Sequence, residues 1–326
     1  MGQDSEERER THVIRIEKRD YGGWPNSYYL TNGEIELVVL ADVGPRVTRY
    51  ALPGGENQFH EVEGQAGASG GDEFRLYGGH RLWVWPEVER TYFPDNRPVE
   101  VTVTTVGARF TARVESDTPG TALQKSMAVE LSEKGSRVKL VHSIANQAAE
   151  PTQLAPWAPT MLRAGGRGIL PFPPRAAMDR EHFQSVSPLT LWSFTDFTDS
   201  RWIIGKDFLQ LVQQEDPCGR FPEQMSGLYN PWGWGAYVRS GEVFVKRSRP
   251  IPGASYPDYG CNFELFTNAE FLELETLGPV ATLQPGEAVE HTELWWLFSG
   301  IGPIDDDDSI RSEIVPLVER TATSRS

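Results

Sequence analysis

Two glutamates stand two residues apart in Phe271-Leu272-Glu273-Leu274-Glu275-Thr276-Leu277-Gly278-Pro279. On a strand, residues i and i+2 share a face, so Glu273 and Glu275 point the same way. If Leu272 and Leu274 face a core, the two glutamates face solvent or a cleft. On a solvated face they are only polar surface; in a partly dry cleft a carboxylate can be tuned as a general base. Upstream, Asn262 and Glu264 alternate in the same manner, and the loop Tyr256-Pro257-Asp258-Tyr259-Gly260 adds another carboxylate.

A second group surrounds Tyr77-Gly78-Gly79-His80-Arg81-Leu82-Trp83. Its glycines permit close backbone approach, and His80-Arg81 beside a tryptophan could clamp a polar ligand. His142, inside an alternating run, reads as structural, and His12, His60, His182 and His291 read as surface or structural. The chain has 10 Trp, 10 Tyr and 15 Phe, and several Trp fall beside Pro and Gly: Trp85-Pro86, Pro156-Trp157 and Pro231-Trp232-Gly233-Trp234. Flat rings beside carboxylates, amides and Arg suit a sugar, which has apolar C–H faces and a hydroxyl rim. Packing within a β core is the competing reading of each ring. The sequence has no HExxH, phosphate-binding Gly loop, dinucleotide fingerprint or GxSxG elbow.

The segments that must position these residues read as strands throughout. His12–Glu17, Tyr28–Leu30, Ile35–Leu40, Val99–Val106, Arg109–Glu115, Leu123–Leu131 and Arg137–Ile144 alternate or run apolar. So do Trp202–Val212, Trp234–Val238, Glu242–Arg247, Cys261–Phe266, Glu270–Glu275 and His291–Phe298. Asn32-Gly33 between apolar runs is a hairpin signal. With 31 Gly and 24 Pro as punctuation, the spacing predicts two large, mostly antiparallel sheets packed face to face, or a barrel. Residues 54–73 and 164–182 read as long loops, and Asp305–Asp308 as a solvated turn. One short helix with an acidic cap is expected over Asp308–Arg320, interrupted by Pro316. Residues 1–10 read as a charged tail and 11–326 as a single domain.

The net charge of −15 argues against nucleic acid and anionic lipid as partners. No apolar run approaches 18 residues, so no membrane span is expected. The N-terminus lacks the apolar core of a signal peptide; a cytoplasmic location is the default, or a periplasmic or secreted one if a leader has been removed. Cys218 and Cys261 stand outside any CxxC or Cys/His cluster, and two buried thiols are the simplest expectation. No ligand spacing indicates zinc or calcium, and no metal or cofactor is expected.

In order and spacing, four stretches resemble the galactose mutarotase-like superfamily, the aldose 1-epimerase type of β-supersandwich, and within it the branch designated DUF4380. They are Asn32–Tyr50 with the turn Val43-Gly44-Pro45-Arg46-Val47, Tyr77–Glu87, Val138–Leu162, and Leu272–Trp296 with the turn Leu283-Gln284-Pro285-Gly286-Glu287. The resemblance implies an all-β supersandwich and a cofactor-free reaction. A strand-borne Glu takes the proton of the anomeric hydroxyl while a His protonates the ring oxygen; the ring opens, rotates and recloses. By position Glu275 matches the base, with Glu273 the fallback, and His80 and Arg81 match substrate-binding positions. Where the family places its acid His, this chain has Ala155-Pro156-Trp157-Ala158-Pro159. Either His80 takes the acid role or epimerase chemistry is absent.

Three readings follow. The first is an epimerase-like enzyme with Glu275 as base, His80 as acid and Arg81 holding the sugar between Trp85 and Trp157. The second is a non-catalytic carbohydrate-binding protein using Arg81, Trp85, Trp157, Asp258, Asn262 and Glu264. The third is a glycosidase pairing Glu275 with Glu264 or Asp258, or a lyase using Tyr259, Arg81 and Arg163. In each the partner is a sugar or oligosaccharide.

Overall fold

Alternation builds the largest sheet directly. In the strand Val138–Asn146, Val138, Leu140, His142, Ile144 and Asn146 are buried while the residues between them are half-buried, the period-2 signature of a sheet with one face on a core. The computed structural model describes residues 13–116, 121–214 and 222–322. The charged tail at 1–10, His12 and Cys218 lie outside the described residues; Cys261 is a buried free thiol.

The strands form two layers. One is a ten-stranded sheet in the order Trp202–Ile204, Phe208–Val212, Arg167–Pro171, Trp234–Arg239, Glu242–Ser248, Ala288–Ser299, Val138–Asn146, Leu123–Leu131, Gly107–Glu115, Glu100–Val103. The other contains a seven-stranded sheet, ordered Leu189–Leu191, Gln224–Leu228, Phe263–Thr267, Phe271–Leu277, Thr152–Arg163, Ala281–Leu283, with Trp83–Trp85 also paired to Thr152–Arg163. A four-stranded sheet, Arg15–Tyr21, Trp24–Thr31, Glu36–Leu40 and Arg46–Ala51, extends this layer. Neighbouring strands pair antiparallel. The expected all-β supersandwich is the architecture found.

The join between the two parts of the second layer places the site. His80 bridges Val47 on one side and Thr160 on the other, so residues 78–81 lie as a short strip between two strands. Gly78 and Gly79 have φ of +94° and +72°. A Cβ on them would stand 2.1 Å from the His60 carbonyl oxygen and 2.3 Å from that of Val47. Only glycine combines that backbone with that approach.

The core lies between the layers. Leu37, Val39, Tyr50, Leu265, Leu272 and Leu274 meet Phe110, Met127, Val129, Leu140, Phe244, Trp295 and Leu297. Leu272 and Leu274 therefore face inward, and Glu273 and Glu275 face out from the seven-stranded sheet.

The predicted hairpin is present: Asn32 Oδ1 accepts from the amides of Glu34 at 2.9 Å and Ile35 at 3.1 Å, and Gly33 has φ +89°. Two expectations need correction. Arg167–Pro171, inside the expected loop 164–182, is a strand paired on both sides, because Ile169 and Leu170 are buried in two different clusters. The C-terminal helix is not broken at Pro316. It winds as α-helix over Asp307–Ser309, π-helix over Ile310–Ile314, then α-helix over Val315–Ala322. The wider turn ahead of Pro316 accommodates its missing N–H. Asp306 begins the helix by accepting from the Ser309 amide at 2.9 Å, so part of the acidic turn is a cap. Among the described residues no helix is long and apolar enough to cross a membrane.

Candidate functional site

The outward face of the seven-stranded sheet collects carboxylates and aromatic rings by register. Glu264 pairs directly with Glu275, Phe266 with Glu273, Pro159 with Glu275, and Trp157 with Leu277. Trp83 pairs with Trp157 and Trp85 with Ala155, so both outer tryptophans of that short strand join the same face. The Trp157 indole donates to Glu275 Oε2, and the Trp85 indole donates to Asp258 Oδ1 at 3.1 Å. Trp83 packs edge-on against Trp157 at 4.9 Å, with Phe74 and Tyr92 at 6.1 and 5.5 Å from it.

Asp258, Glu264, Glu275 and Glu273 form a continuous ladder of carboxyl groups. Glu264 and Glu275 are each 1% exposed and Glu273 is 8% exposed. Both oxygens of Glu264 lack an N–H or hydroxyl donor among the described residues; its neighbours are the carboxyls of Glu275 and Asp258. Two carboxylates hydrogen-bond only when one carries a proton. Burial, then the charges of Glu275 and Asp258, push Glu264 well above the usual carboxylate range. Burial and then Glu273 do the same to Glu275, against the Trp157 hydrogen bond. Glu273 is raised by burial too, but the Arg81 and Lys246 charges oppose it. Burial raises all three carboxyls, and the ladder titrates as a set.

Arg81, 2% exposed, lies over the Trp83 ring at 3.8 Å and near Phe74 at 5.4 Å. None of its three side-chain nitrogens has a hydrogen-bond partner among the described residues. Burial and then the Arg46 charge push its pKa down to about 9.

The inward face carries a different cluster. His142 Nδ1 lies 3.0 Å from the His291 carbonyl, which can only accept, so Nδ1 holds the His142 proton and Nε2 offers a lone pair. His80 Nε2, 2.7 Å away, must donate to it. His80 Nδ1 then accepts from Thr160 Oγ1 at 2.8 Å. Lys246 Nζ donates to Thr160 Oγ1 at 2.9 Å, the Ala158 carbonyl at 2.7 Å and the Leu274 carbonyl at 3.0 Å, and stands 2.9 Å from Glu293 Oε1. Glu293 also accepts from the Trp295 indole at 2.8 Å and from the Thr276 hydroxyl, which accepts from His291 Nε2 at 2.7 Å. His80, His142 and Glu293 present ligand-type atoms within 4.8 Å of one another. Their donors and acceptors close on each other, however, and Glu293 is already paired with the Lys246 ammonium.

Burial drives the three imidazoles down: His80 well below the usual histidine range, His142 below it, and His291 to about 3. Burial also lowers Lys246, against the pull of Glu293. It would raise Glu293, but Lys246 above all, with the Thr276 hydrogen bond, holds that carboxyl below its ordinary value.

These directions set opposing pH dependences. The histidines stay neutral in the fold while the unfolded chain takes up protons below about pH 6.5. Their stabilisation is therefore present above that pH and lost as pH falls, by at most about 1.4 kcal/mol per pH unit for each. Glu264 and Glu275, raised in the fold, contribute stability that is full below about pH 4.5 and lost as pH rises through their folded values. In the Glu264→Gln/Glu275→Gln variant the counterweight is gone, so stability should fall more steeply than in wild type between pH 6.5 and 4.5. Urea titrations at half-unit pH steps measure this; parallel curves would contradict the assignment.

No family model matches the chain, and no curated protein matches it. Solved structures do match. A galactose mutarotase-like protein from Lactobacillus casei superposes at TM-score 0.57 and 10% identity, over 84% of this chain and 100% of that one. A galactose mutarotase related enzyme from Lactobacillus acidophilus gives 0.54 at 11% identity, over 86% of this chain and 99% of that one. The fold is galactose mutarotase-like. Part of a TPR-domain containing protein from Parabacteroides distasonis matches as well, at 0.51 and 13% identity, over 86% of this chain but 48% of that one.

Within this mutarotase-like fold the expected site residues divide by sheet face. Glu264, Glu273, Glu275, Asp258, Arg81, Trp85 and Trp157 share the outward face. His80 does not join them: it is fully buried between the layers with both ring nitrogens engaged, because neighbouring residues on an extended chain point to opposite faces and Arg81 takes the outward one. Asn262 is paired with the backbone of Asn230, through Oδ1 at 2.7 Å and Nδ2 at 3.1 Å. Tyr259 is 92% exposed, and Arg163 is half-exposed beside Glu56. The face is covered rather than openly cleft. Cavities of about 610 and 400 Å3 lie elsewhere, against the C-terminal helix and beside Trp232, and hold none of the ladder carboxyls. Sequence reading missed Lys246, Glu293 and Thr276. The available signal was His291, Glu293 and Trp295 at alternate positions of one strand, all buried.

Proposed function

We propose that the outward face binds a sugar and interconverts its anomers by proton transfer within the carboxyl ladder. The observation that carries this reading is geometric: Glu273 and Glu275 stand two apart on one strand, side by side on one sheet face, with the Trp157 indole donating to Glu275. Burial raises both carboxyls. In this reading Glu275 is the acid, the reverse of the base role expected from the resemblance, and Glu273, where the Arg81 and Lys246 charges oppose burial, is the base. The ring oxygen and the anomeric hydroxyl of a pyranose are bonded to the same carbon, so an acid and a base that touch can serve both. Glu273 takes the anomeric proton, Glu275 protonates the ring oxygen, and the opened aldehyde recloses on either face. Proton transfer alone completes the cycle, so no cofactor is required. A glycosidase instead sets its two carboxyls on opposite sides of the scissile bond, whereas these stand side by side on one sheet face.

Trp157 and Trp83 supply the apolar wall, and Arg81 and Asp258 the polar clamps. His80 and the rest of the inward network hold the two layers in register. Nuclear magnetic resonance exchange between anomers, run on a panel of aldoses, tests the reading. Acceleration by wild type that disappears in both Glu275→Gln and Glu273→Gln is the expected result. Binding without acceleration would leave a carbohydrate-binding protein on the same face.

A further inference from the structure

The outward face contains one unsatisfied cation. Arg81 has a guanidinium with five N–H donors and no hydrogen-bond acceptor among the described residues, whereas Glu264 has its neighbouring carboxyls Glu275 and Asp258. A bound molecule that satisfies Arg81 must bring acceptors to it. The charges of Glu273, Asp95 and Glu275 act on the guanidinium without bonding it, and a second guanidinium, Arg46, adds repulsion. Arg46 is already committed to Asp95 at 2.8 Å and to the carbonyls of Leu76 and Gly78 at 2.8 and 2.6 Å. Glu273 is a neighbour of Arg81 but forms no ion pair with it within 4.0 Å among the described residues. What fits best is a planar acceptor carrying negative charge, which the guanidinium fork meets with two parallel hydrogen bonds.

We infer that the sugar handled by this face carries a carboxylate, as a uronic acid does, with Arg81 holding that carboxylate. This rests on the proposed sugar-binding role and narrows its substrate class. The face of Trp83 under Arg81 continues into Trp157 and Glu275, so a ring extending from a carboxylate at Arg81 lies along the ladder. Phe74 and Tyr92, 5.2 Å apart and both packed on Trp83, form the outer layer that must swing aside. Tyr92 is 39% exposed, and its ties there are to Glu87 and to these rings.

Arg81 held in place for a ligand also has a signature that a structural cation lacks. With no hydrogen bond to lose, its replacement by an apolar side chain relieves the fold while removing recognition, the trade expected where a site is kept unsatisfied for function.

The experiment is calorimetric titration of wild type, Arg81→Lys and Arg81→Met with D-galacturonate, D-glucuronate, D-galactose and D-glucose, with thermal melts of all three proteins. The expected result is that a uronate binds wild type at least about tenfold tighter than its neutral counterpart. That preference weakens in Arg81→Lys and vanishes in Arg81→Met, whose melting temperature is equal to or above that of wild type. Equal affinity for uronate and neutral sugar, or a preference that survives in Arg81→Met, would overturn this inference while leaving the sugar-binding role intact. A lower melting temperature for Arg81→Met would also overturn it, by making Arg81 a structural cation. Failure of all four sugars to bind wild type would overturn both readings.

Discussion

Lys246→Met is expected to lower stability by about 3–5 kcal/mol, the usual consequence of leaving one member of a buried ion pair uncompensated. At about 2–4 °C per kcal/mol for a large domain, the melting temperature should drop on the order of 10 °C. Lys246 and Glu293 both have fully buried side chains 2.9 Å apart. Removing the ammonium also strips donors from the carbonyls of Ala158 and Leu274 and from Thr160. Those acceptors lie on the two paired strands that carry Trp157, Glu273 and Glu275 on their other face. Adding Glu293→Gln removes the stranded charge and leaves one amide oxygen for either Thr276 or Trp295, so the double variant should regain about half of the loss. Chemical denaturation of the single and double variants gives the coupling directly. A loss below about 1 kcal/mol in Lys246→Met would mean that the layers are held by apolar contacts alone.

The largest expected effect on turnover is that of Glu275→Gln. Removing a positioned acid or base lowers kcat by about 100- to 10,000-fold. Gln presents an acceptor to the Trp157 indole but cannot deliver a proton, so binding should survive and KM should change little. The pH profile separates the partners. Glu275 works protonated, so wild-type activity should fall as pH rises through its raised value; Glu273 works ionised, so activity should rise as pH climbs through its own. Any residual activity of Glu275→Gln should lack the falling limb, and that of Glu273→Gln the rising limb. The Glu275→Gln fold should be intact, because a carboxyl forced into burial is exchanged for a neutral isostere. An unchanged kcat on a confirmed substrate would remove Glu275 from the chemistry.

The fold was largely legible in the chain because a half-buried strand writes its environment at period 2. Val138–Asn146 and Leu123–Leu131 alternate so cleanly that their core faces can be named without coordinates. Asn32-Gly33 announced its hairpin through turn chemistry alone. Arg167–Pro171 escaped because Gly and Pro flank it and because a strand buried on both faces does not alternate. The helix after Asp306 was misjudged at Pro316 because a π turn can absorb a missing donor, which local propensity does not foresee.

For the candidate site, the spacing of Glu273 and Glu275 and the alternation of Glu264 were enough to place each carboxyl on a face of its own strand. The adjacency of His80 and Arg81 was also a sequence fact, but it pointed to a joint clamp on the sugar, and their divergence to opposite faces came with the structure. What only the tertiary structure decided was which face is which and who meets whom across strands. Glu264 sits opposite Glu275, Trp83 opposite Trp157, and Lys246 beneath both strands. The segments that supply them are separated by as many as 192 residues between Trp83 and Glu275. Strand alternation is a local property fixed by backbone geometry, whereas register between distant strands depends on how the whole core packs. The type of the residues and their alternation therefore belonged to the sequence. Their division into an outward ladder of carboxyls and an inward network closed by Lys246 came only with the packing of the two layers.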